Sequence, residues 1–325
     1  MTNKINLLIT GGAGFIGSNL VEHFLNDDRV ALVRVLDDLS NGYYENIKEF
    51  EKHPRFEFIQ GDICDYDTCL KACEGIHRIS HQAALGSVPR SIENPMRTNE
   101  VNVGGTVNVL YAAKQQGVDR IILAFSSSTY GDHPGLPKVE DKIGKPLSPY
   151  AVSKAAIEQY TEVFGRTYGL DWLGFRYFNI FGPNQNPKNP YAAVIPIFSN
   201  AYLNGQAPHI NGDGETSRDF TYVENALLAN DLAMFTDNKD ALNQVYNVAC
   251  GDQVSLNEMI VLLNEISGEN LVPTYGPERP GDVKHSKADI SKIETLLGYK
   301  PVVRFKEGLE KVYNWYKENA DSIPE

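Results

Sequence analysis

At 325 residues and 42% hydrophobic, the chain exceeds the usual ~100–200 residues of one domain and holds enough apolar side chain for one large core or two coupled ones. A formal net charge of −12 makes the chain a poor candidate for wrapping nucleic acid, whose usual footprint is a basic face, while leaving room for a small anion held by helix N-termini and arginines. No apolar run approaches the ~18 residues of a membrane helix, and Met1–Leu8 enters a strand-like run rather than a signal peptide, so the expectation is a cytoplasmic protein without a membrane anchor.

The elements follow in chain order. Ile5–Thr10 is a short apolar strand ended by Gly11-Gly12, and Ser18–Leu25 has helical spacing. Val30–Leu36, Phe56–Gln60 and Ile76–Gln82 are strands, and Asn99–Gln115 is a long helix. Arg120–Phe125 is a strand, Tyr150–Tyr168 a helix and Asp171–Arg176 a strand. This alternation predicts parallel βαβ units with helices on both faces of the sheet. Beyond Asn179 the pattern loosens: Pro183–Pro190 and Asn211–Ser217 are loops, and helices are expected at Val194–Asn204, Leu256–Ile266 and Phe305–Asn319. Val245–Val248 is a strand that returns to the main sheet. The predicted architecture is α/β, a Rossmann-type doubly wound parallel sheet over residues 1–178 with a returning segment near 221–250. A smaller mixed α/β C-terminal substrate domain occupies 179–325. Cys64, Cys69, Cys73 and Cys250 are expected as reduced thiols, Cys69 and Cys73 packing one helical turn apart with no metal.

Gly11, Gly14 and Gly17 lie between the first strand and the first helix. Glycine permits the tight turn and the close approach of backbone to a pyrophosphate, and the helix amides favour the anion, so Gly11, Gly14, Phe15, Ile16 and Gly17 form a candidate dinucleotide site. Asp37 ends the second strand about twenty residues after Gly17, where an acid accepts from the adenosine ribose hydroxyls and repels a 2′-phosphate. This favours NAD over NADP. Asp62, after the third strand, is placed to reach the adenine with Ile63 beside it. Tyr150 and Lys154 stand four residues apart at a helix start and share a face. A tyrosine with a pKa near ~10 is too weak a base at neutral pH, and an adjacent ammonium lowers that value.

With these motifs go His81-Gln82-Ala83-Ala84, Asn99–Thr106, Ser126–Gly131, Arg176–Gly182, Arg218-Asp219-Phe220 and Arg279–Asp282. In this order, and over nearly the whole chain, they resemble the extended short-chain dehydrogenase/reductases and within them the NAD-dependent epimerase/dehydratase family. The resemblance implies Tyr150 as acid/base, Lys154 on the nicotinamide ribose and Ser126 bridging the sugar hydroxyl and the phenol. It implies Ser40, Asn41, Gly42, Gln82, Ala83, Ala84 and Tyr177 along NAD, with Asn102 holding the nearby backbone. Asn179 would touch the sugar, Arg218 and Arg279 the nucleotide diphosphate, and Asp282 the uridine ribose.

The residues after Ser126 discriminate among reactions. The family's 4,6-dehydratases place Asp-Glu there to move protons at carbons 5 and 6 of the sugar; here they are Ser127 and Ser128, which cannot. A 4-epimerase needs only Tyr150, transient hydride transfer to bound NAD, and rotation of a 4-keto sugar. The resemblance extends to a subgroup working on UDP-N-acetylglucosamine and UDP-N-acetylgalactosamine, through Gly86, Ser87, Val88-Pro89-Arg90, Tyr191, Ala193 and Val194. Ser286 matches a position near carbon 2 of the sugar, where a small residue admits an N-acetyl group. UDP-glucose/UDP-galactose or the N-acetyl uronic acids are further substrates of the same chemistry. The alternatives are a UDP-glucuronate 4-epimerase or decarboxylase and a non-catalytic NAD-binding protein. A homodimer is expected through Asn99–Gln115 and Tyr150–Tyr168, with Val103, Val107, Leu110, Ile157 and Val163 on the seam.

Overall fold

The computed structural model describes residues 4–278 and 284–320. Its frame is a parallel sheet built from β1 (Ile5–Thr10), β2 (Val30–Asp37), β3 (Phe56–Gln60), β4 (Arg78–His81), β5 (Arg120–Ser126), β6 (Asp171–Tyr177) and the strand Gln244–Val248. From one edge to the other the order is Gln244–Val248, β6, β5, β4, β1, β2, β3. Chain order therefore reverses between β1 and β4, and the cleft of such sheets opens at that switch, beyond the carboxyl ends of the strands. The strands are β-branched and apolar because both faces are covered.

Helix α1 (Phe15–Leu25) covers one face, and α2 (Tyr66–Ala72), α5 (Thr106–Gln115) and α6 (Pro149–Tyr168) the other. Between α2 and α5 run α3 (Val88–Glu93) and α4 (Pro95–Asn99), each started by a capping side chain, Ser87 and Asn94. The helix expected over Asn99–Gln115 is not uniform: a wide π-type turn at Glu100–Gly105 separates α4 from α5. Gly105, the last residue of that turn, packs on Ile63, whose side chain would lie 2.6 Å from an added Cβ. Helix α6 begins one residue before the expected Tyr150, capped by Ser148 and opened by Pro149. Of the seam residues expected to face a second subunit, Leu110 and Ile157 are instead buried against the sheet, and Val103 and Val107 pack at its margin. Val163 is exposed, as are Val152 and Tyr160 on the same helix.

Beyond β6, α7 (Val194–Leu203), α9 (Leu256–Ser267) and α11 (Phe305–Asn319) enclose a separate cluster of aromatic and aliphatic side chains that includes Phe198, Phe220, Leu263 and Tyr316. The intervening α8 (Val223–Phe235) returns to pack beside α1 under the main sheet. Sequence periodicity missed α8 because its apolar residues occur on all sides, the pattern of an enclosed helix. Its two buried asparagines, Asn225 and Asn230, are the polar residues that lock it in place. Among the described residues no helix is long and apolar enough to cross a membrane, and no group of three or more His, Cys, Asp or Glu is assembled for a metal. Cys69 and Cys73 are buried in the core under α2, Cys69 donating to the Ile63 carbonyl.

Asn225 ties the two parts of the chain together. Its Oδ1 accepts from the Val302 and Val303 amides at 2.7 and 3.1 Å, and its Nδ2 donates to the Val303 carbonyl at 2.7 Å. Asn225→Ala leaves these buried groups without partners, at ~1–3 kcal/mol for each that water cannot reach. The expected result is a fall of the denaturant midpoint equivalent to at least ~2 kcal/mol with an unchanged slope; a loss below measurement error would show that water replaces the amide.

Candidate active site

The β1–α1 turn is dictated by backbone crowding. Gly11 has φ +70°, and an added Cβ there would sit 2.7 Å from the Ala83 amide nitrogen. A Cβ on Gly17 would overlap the Gly11 carbonyl and approach the Gly12 Cα to 2.7 Å. Helix α1 starts at Phe15 without a side-chain cap, so its first amides are left facing the cleft. Asp37, at the end of β2, accepts from the Ala13 and Leu39 amides at 2.9 Å each. Burial raises its carboxyl above the usual value against the pull of those two bonds. Burial would also raise Asp62, but hydrogen bonds from the Cys64 amide and the Arg97 guanidinium outweigh it and hold that carboxyl low.

These residues wall one cleft of about 640 Å³. One end is made by Gly11, Gly14, Phe15, Ile16 and Gly17 on the loop, by Asp37 and Ser40–Gly42, and by Asp62 and Ile63. Gln82, Ala83, Ala84 and Gly86 follow β4 along its floor. The other end holds Ser126, Ser127, Ser128, Tyr150, Lys154, Tyr177, Asn179 and Arg218. Two buried polar atoms on this wall, Gln82 Oε1 and Ser128 Oγ, lack a partner within the protein. A cleft with bare helix amides, a ribose-length acid and unsatisfied polar atoms fits a dinucleotide and a polar second ligand.

Burial raises the Tyr150 phenol, and a hydrogen bond with Ser126 opposes the rise. The Lys154 Nζ lies 5.9 Å from the centroid of the Tyr150 ring and donates to the Ala124 carbonyl at 2.7 Å. Burial pulls the Lys154 ammonium down to about 8. The ammonium thus sits beside the phenol, yet in the protein alone the phenol stays above its ordinary value, since enclosure outweighs the neighbouring hydroxyl. Tyr177 presents its ring to the cleft, while its hydroxyl meets Asn230 Nδ2 at 2.7 Å and Gln82 Nε2 at 3.4 Å. Asn179 holds a left-handed turn, φ +40°, and donates to the Asp219 carbonyl. Arg218 donates to the Ser217 and Lys284 carbonyls at 3.0 and 3.2 Å.

Other expected residues stand off the wall. Asn102, in the wide turn, binds the Leu85 backbone at both ends, 2.8 Å to its amide and 3.3 Å to its carbonyl, and so supports the floor from behind. Ser87 uses its hydroxyl to cap α3 by accepting from the Arg90 amide. Ala193 and Val194 begin α7 outside the cleft wall. Ser286 is half-buried and its amide donates to the Ser217 carbonyl at 3.1 Å, next to Arg218. His81 is buried behind the floor between the Thr10 and Thr106 hydroxyls, and burial, reinforced by the Lys154 charge, lowers it to about 3. Arg279 and Asp282 lie outside the described residues. Sequence reasoning missed Ser80 and Asn230, whose 3.0 Å bond continues the Tyr177–Gln82 network. The available signal was an asparagine within the apolar run Val223–Phe235.

A nucleotide-binding parallel sheet with Ser, Tyr and Lys at the end of its cleft defines a dehydrogenase-like class. Residues 8–312 match the family described as GDP-mannose 4,6 dehydratase. A UDP-glucose 4-epimerase of Mycolicibacterium smegmatis is 36% identical over 96% of this chain and 99% of its own. A solved UDP-N-acetylglucosamine 4-epimerase of Methanobrevibacter ruminantium, in complex with UDP-N-acetylmuramic acid, is 38% identical with a TM-score of 0.91, covering 98% of this chain and 99% of that one. A Thermus thermophilus UDP-glucose 4-epimerase complexed with NAD is 34% identical with a TM-score of 0.86, covering 96% of this chain and 99% of that one. The chain belongs to the NAD-dependent epimerase/dehydratase family of the extended short-chain dehydrogenase/reductases.

The buried Lys154 has a consequence for stability. Its folded value, about 8, lies below the ordinary 10.5. Between these values the unfolded chain carries the extra proton, so this group's contribution to stability rises with pH, and its cost is fully present below about 8. Lys154→Met is expected to raise the melting temperature at pH ~7 relative to wild type. The difference should shrink as pH rises from about 8 toward 10.5. A difference independent of pH would mean that Lys154 titrates in the folded protein at its ordinary value.

Proposed function

We propose that the protein is an NAD-dependent UDP-sugar 4-epimerase, and that it interconverts UDP-N-acetylglucosamine and UDP-N-acetylgalactosamine. The observation that carries the reaction class is the set at the end of the cleft. Ser126, Tyr150 and Lys154 line it together, with Lys154 Nζ 5.9 Å from the Tyr150 ring centroid, and the two residues after Ser126, Ser127 and Ser128, offer no carboxyl for dehydration. Gly11, Gly14, Gly17 and Asp37 would hold NAD, with the Asp37 carboxylate disfavouring a 2′-phosphate. Bound there, NAD supplies reversible hydride acceptance at carbon 4 of the sugar.

Tyr150 takes the proton from the 4-hydroxyl through the Ser126 hydroxyl and returns it after the keto sugar has turned over. Lys154 supplies the positive charge that stabilises the phenolate. Ser127 and Ser128 present hydroxyls to either orientation of the sugar, and the unpartnered Ser128 Oγ is available to one of them. Arg218 and Arg279 would fork onto the diphosphate, and Asp282 would take the uridine ribose. In this reading the residues beyond 178 mainly serve the substrate. The preference for an N-acetylated sugar rests on the likeness to the Methanobrevibacter ruminantium enzyme and on the small Ser286 beside the Arg218 segment. Two subunits would pair through the exposed Val152, Tyr160 and Val163 of α6.

The direct test incubates the purified protein with a panel of UDP-sugars and resolves the products. Formation of UDP-N-acetylgalactosamine from UDP-N-acetylglucosamine is expected, and no conversion of any UDP-sugar would end the proposal. Tyr150→Phe should lower turnover by at least ~10²-fold while the fold and the bound cofactor, identified as NAD by mass after denaturation, are kept. More than about a tenth of wild-type activity would remove Tyr150 from the proton path.

Ser286→Tyr tests the substrate preference. A ring at this position would overlap an acetamido group but not a hydroxyl, so loss on UDP-N-acetylglucosamine should far exceed any loss on UDP-glucose. Equal losses on both sugars, or none on either, would place Ser286 away from carbon 2.

A further inference from the structure

On α6, Tyr150, Lys154 and Glu158 recur at four-residue intervals and so lie along one face. The acid–base step uses the first two. Glu158 is turned to β6, where its Oε1 accepts from Arg176 Nε at 3.0 Å and its Oε2 from Nη2 at 2.7 Å. The two side chains are only 12% and 4% exposed. The remaining Arg176 nitrogen, Nη1, donates to the Glu140 carbonyl at 2.8 Å, and the guanidinium lies 4.8 Å from the centroid of the Tyr130 ring. Tyr130 closes the turn that starts at Ser126, and its hydroxyl donates to Asn247 Oδ1 at 2.6 Å.

A buried ion pair is a poor source of stability, since apolar side chains of the same volume do as well or better. An apolar pair cannot, however, place a negative charge one turn behind Lys154. That ammonium is enclosed, with the Ala124 carbonyl as its hydrogen-bond acceptor, and enclosure alone drives it toward the neutral amine. We propose that Glu158, fixed by its fork with Arg176, is a positioning residue that keeps Lys154 charged beside Tyr150. This inference rests on the epimerase reading for its consequence in turnover.

The other titratable groups around the cluster leave this role to Glu158. His81 of β4 is lowered to about 3, and Tyr130 and Tyr177 are raised to about 12, all chiefly by burial, so these are neutral near pH 7. The Tyr150 phenol is raised as well. Glu140 turns its carboxyl to the Asn247 amide at 2.9 Å. On the helices packed against α6, Arg90 is engaged with Asn41, Glu93 with Tyr191, Arg97 with Asp62 and Glu100, and Lys114 with the Tyr111 and Tyr168 rings. Arg176 is the cation that shares the Glu158 charge, and its own charge opposes that of Lys154 if the carboxylate is removed.

The test compares wild-type holoenzyme with Glu158→Gln, Glu158→Asp and the double variant Glu158→Gln/Arg176→Met. The proton on Lys154 is followed directly by NMR titration of carbon-13-labelled lysine, the signal being assigned by its loss in Lys154→Met. The pH profile of kcat on UDP-N-acetylglucosamine is recorded beside it. Glu158→Gln should lower the Lys154 midpoint by about one pH unit or more and move the alkaline limb of kcat down by the same amount, with KM little changed. Glu158→Asp should restore both, and the double variant, folded because both charges are gone, should still titrate below wild type. An unchanged Lys154 midpoint in Glu158→Gln, or a wild-type midpoint in the double variant, would overturn the inference and leave the pair a structural clasp. If the wild type converts no UDP-sugar, the functional reading falls, while the lysine titration still decides the role of Glu158.

Discussion

The site depends on one close approach of backbone to backbone, where the β1–α1 turn meets the chain leaving β4. At Gly11 there is no space for a side chain against Ala83, and at Gly17 none against the Gly11 carbonyl. This packing brings the start of α1 to the point where strand order reverses, so the bare amides of the helix open into the cleft rather than onto solvent. It also sets the cleft floor, because the Gln82 amide continues the sheet by donating to the Thr10 carbonyl. The Asp37 carboxylate then braces the turn from the other side through the Ala13 amide. A methyl group at either glycine would therefore disturb the fold and the candidate cofactor site at once.

A second constraint governs the other end of the cleft. Lys154 is buried and Tyr150 half-buried, and removal from water works against the charged form of each. The helix that carries them is anchored by apolar contacts such as Ile157 and Phe164, which set where its polar face falls relative to β5. The Ala124 carbonyl and the Ser126 hydroxyl, both on β5, then meet Lys154 and Tyr150. Strand register thus becomes site geometry: along β5, Leu123 and Phe125 pack into the cluster that holds Ile157 and Phe164, Ala124 packs into the cluster on the opposite face, and Ala124, Phe125 and Ser126 reach the cleft at the end of the strand.

Much of this was legible in the sequence because it is local. Phe56–Gln60 and Phe305–Asn319 have the bounds expected from periodicity, and α6 starts one residue before the expected Tyr150. The wall positions read from the glycine loop, Asp37 and the Tyr150/Lys154 pair come together because each is fixed to the end of one strand or the start of one helix. What sequence concealed depends on distant partners. Helix α8 shows no preferred face, since it is enclosed on all sides by α1, the sheet and the 300–303 segment. Leu110 and Ile157 looked available for a second subunit because a stripe on a helix does not state which neighbour it meets. Ser87, expected at the substrate, also caps a helix, a use that depends only on the amide three residues on.

The same distinction separates the two halves of the molecule. In the sheet half, repetition of strand and helix makes each contact predictable from the one before. Beyond Asn179 single side chains hold unlike segments together: Asp219 accepts from the Cys250, Gly251 and Ala288 amides, at 3.0, 3.0 and 3.1 Å, and so joins the loop after the last sheet strand to the 285–289 segment. Three backbone donors favour the ionised carboxyl, yet burial is the larger effect and lifts Asp219 to about 7. A carboxyl so placed holds the Arg218 segment against the cleft with hydrogen bonds that a protonated group would weaken. Precision at the Arg218 end of the cleft is thereby made to depend on one acid, whereas precision at the opposite end is built into the glycine turn itself.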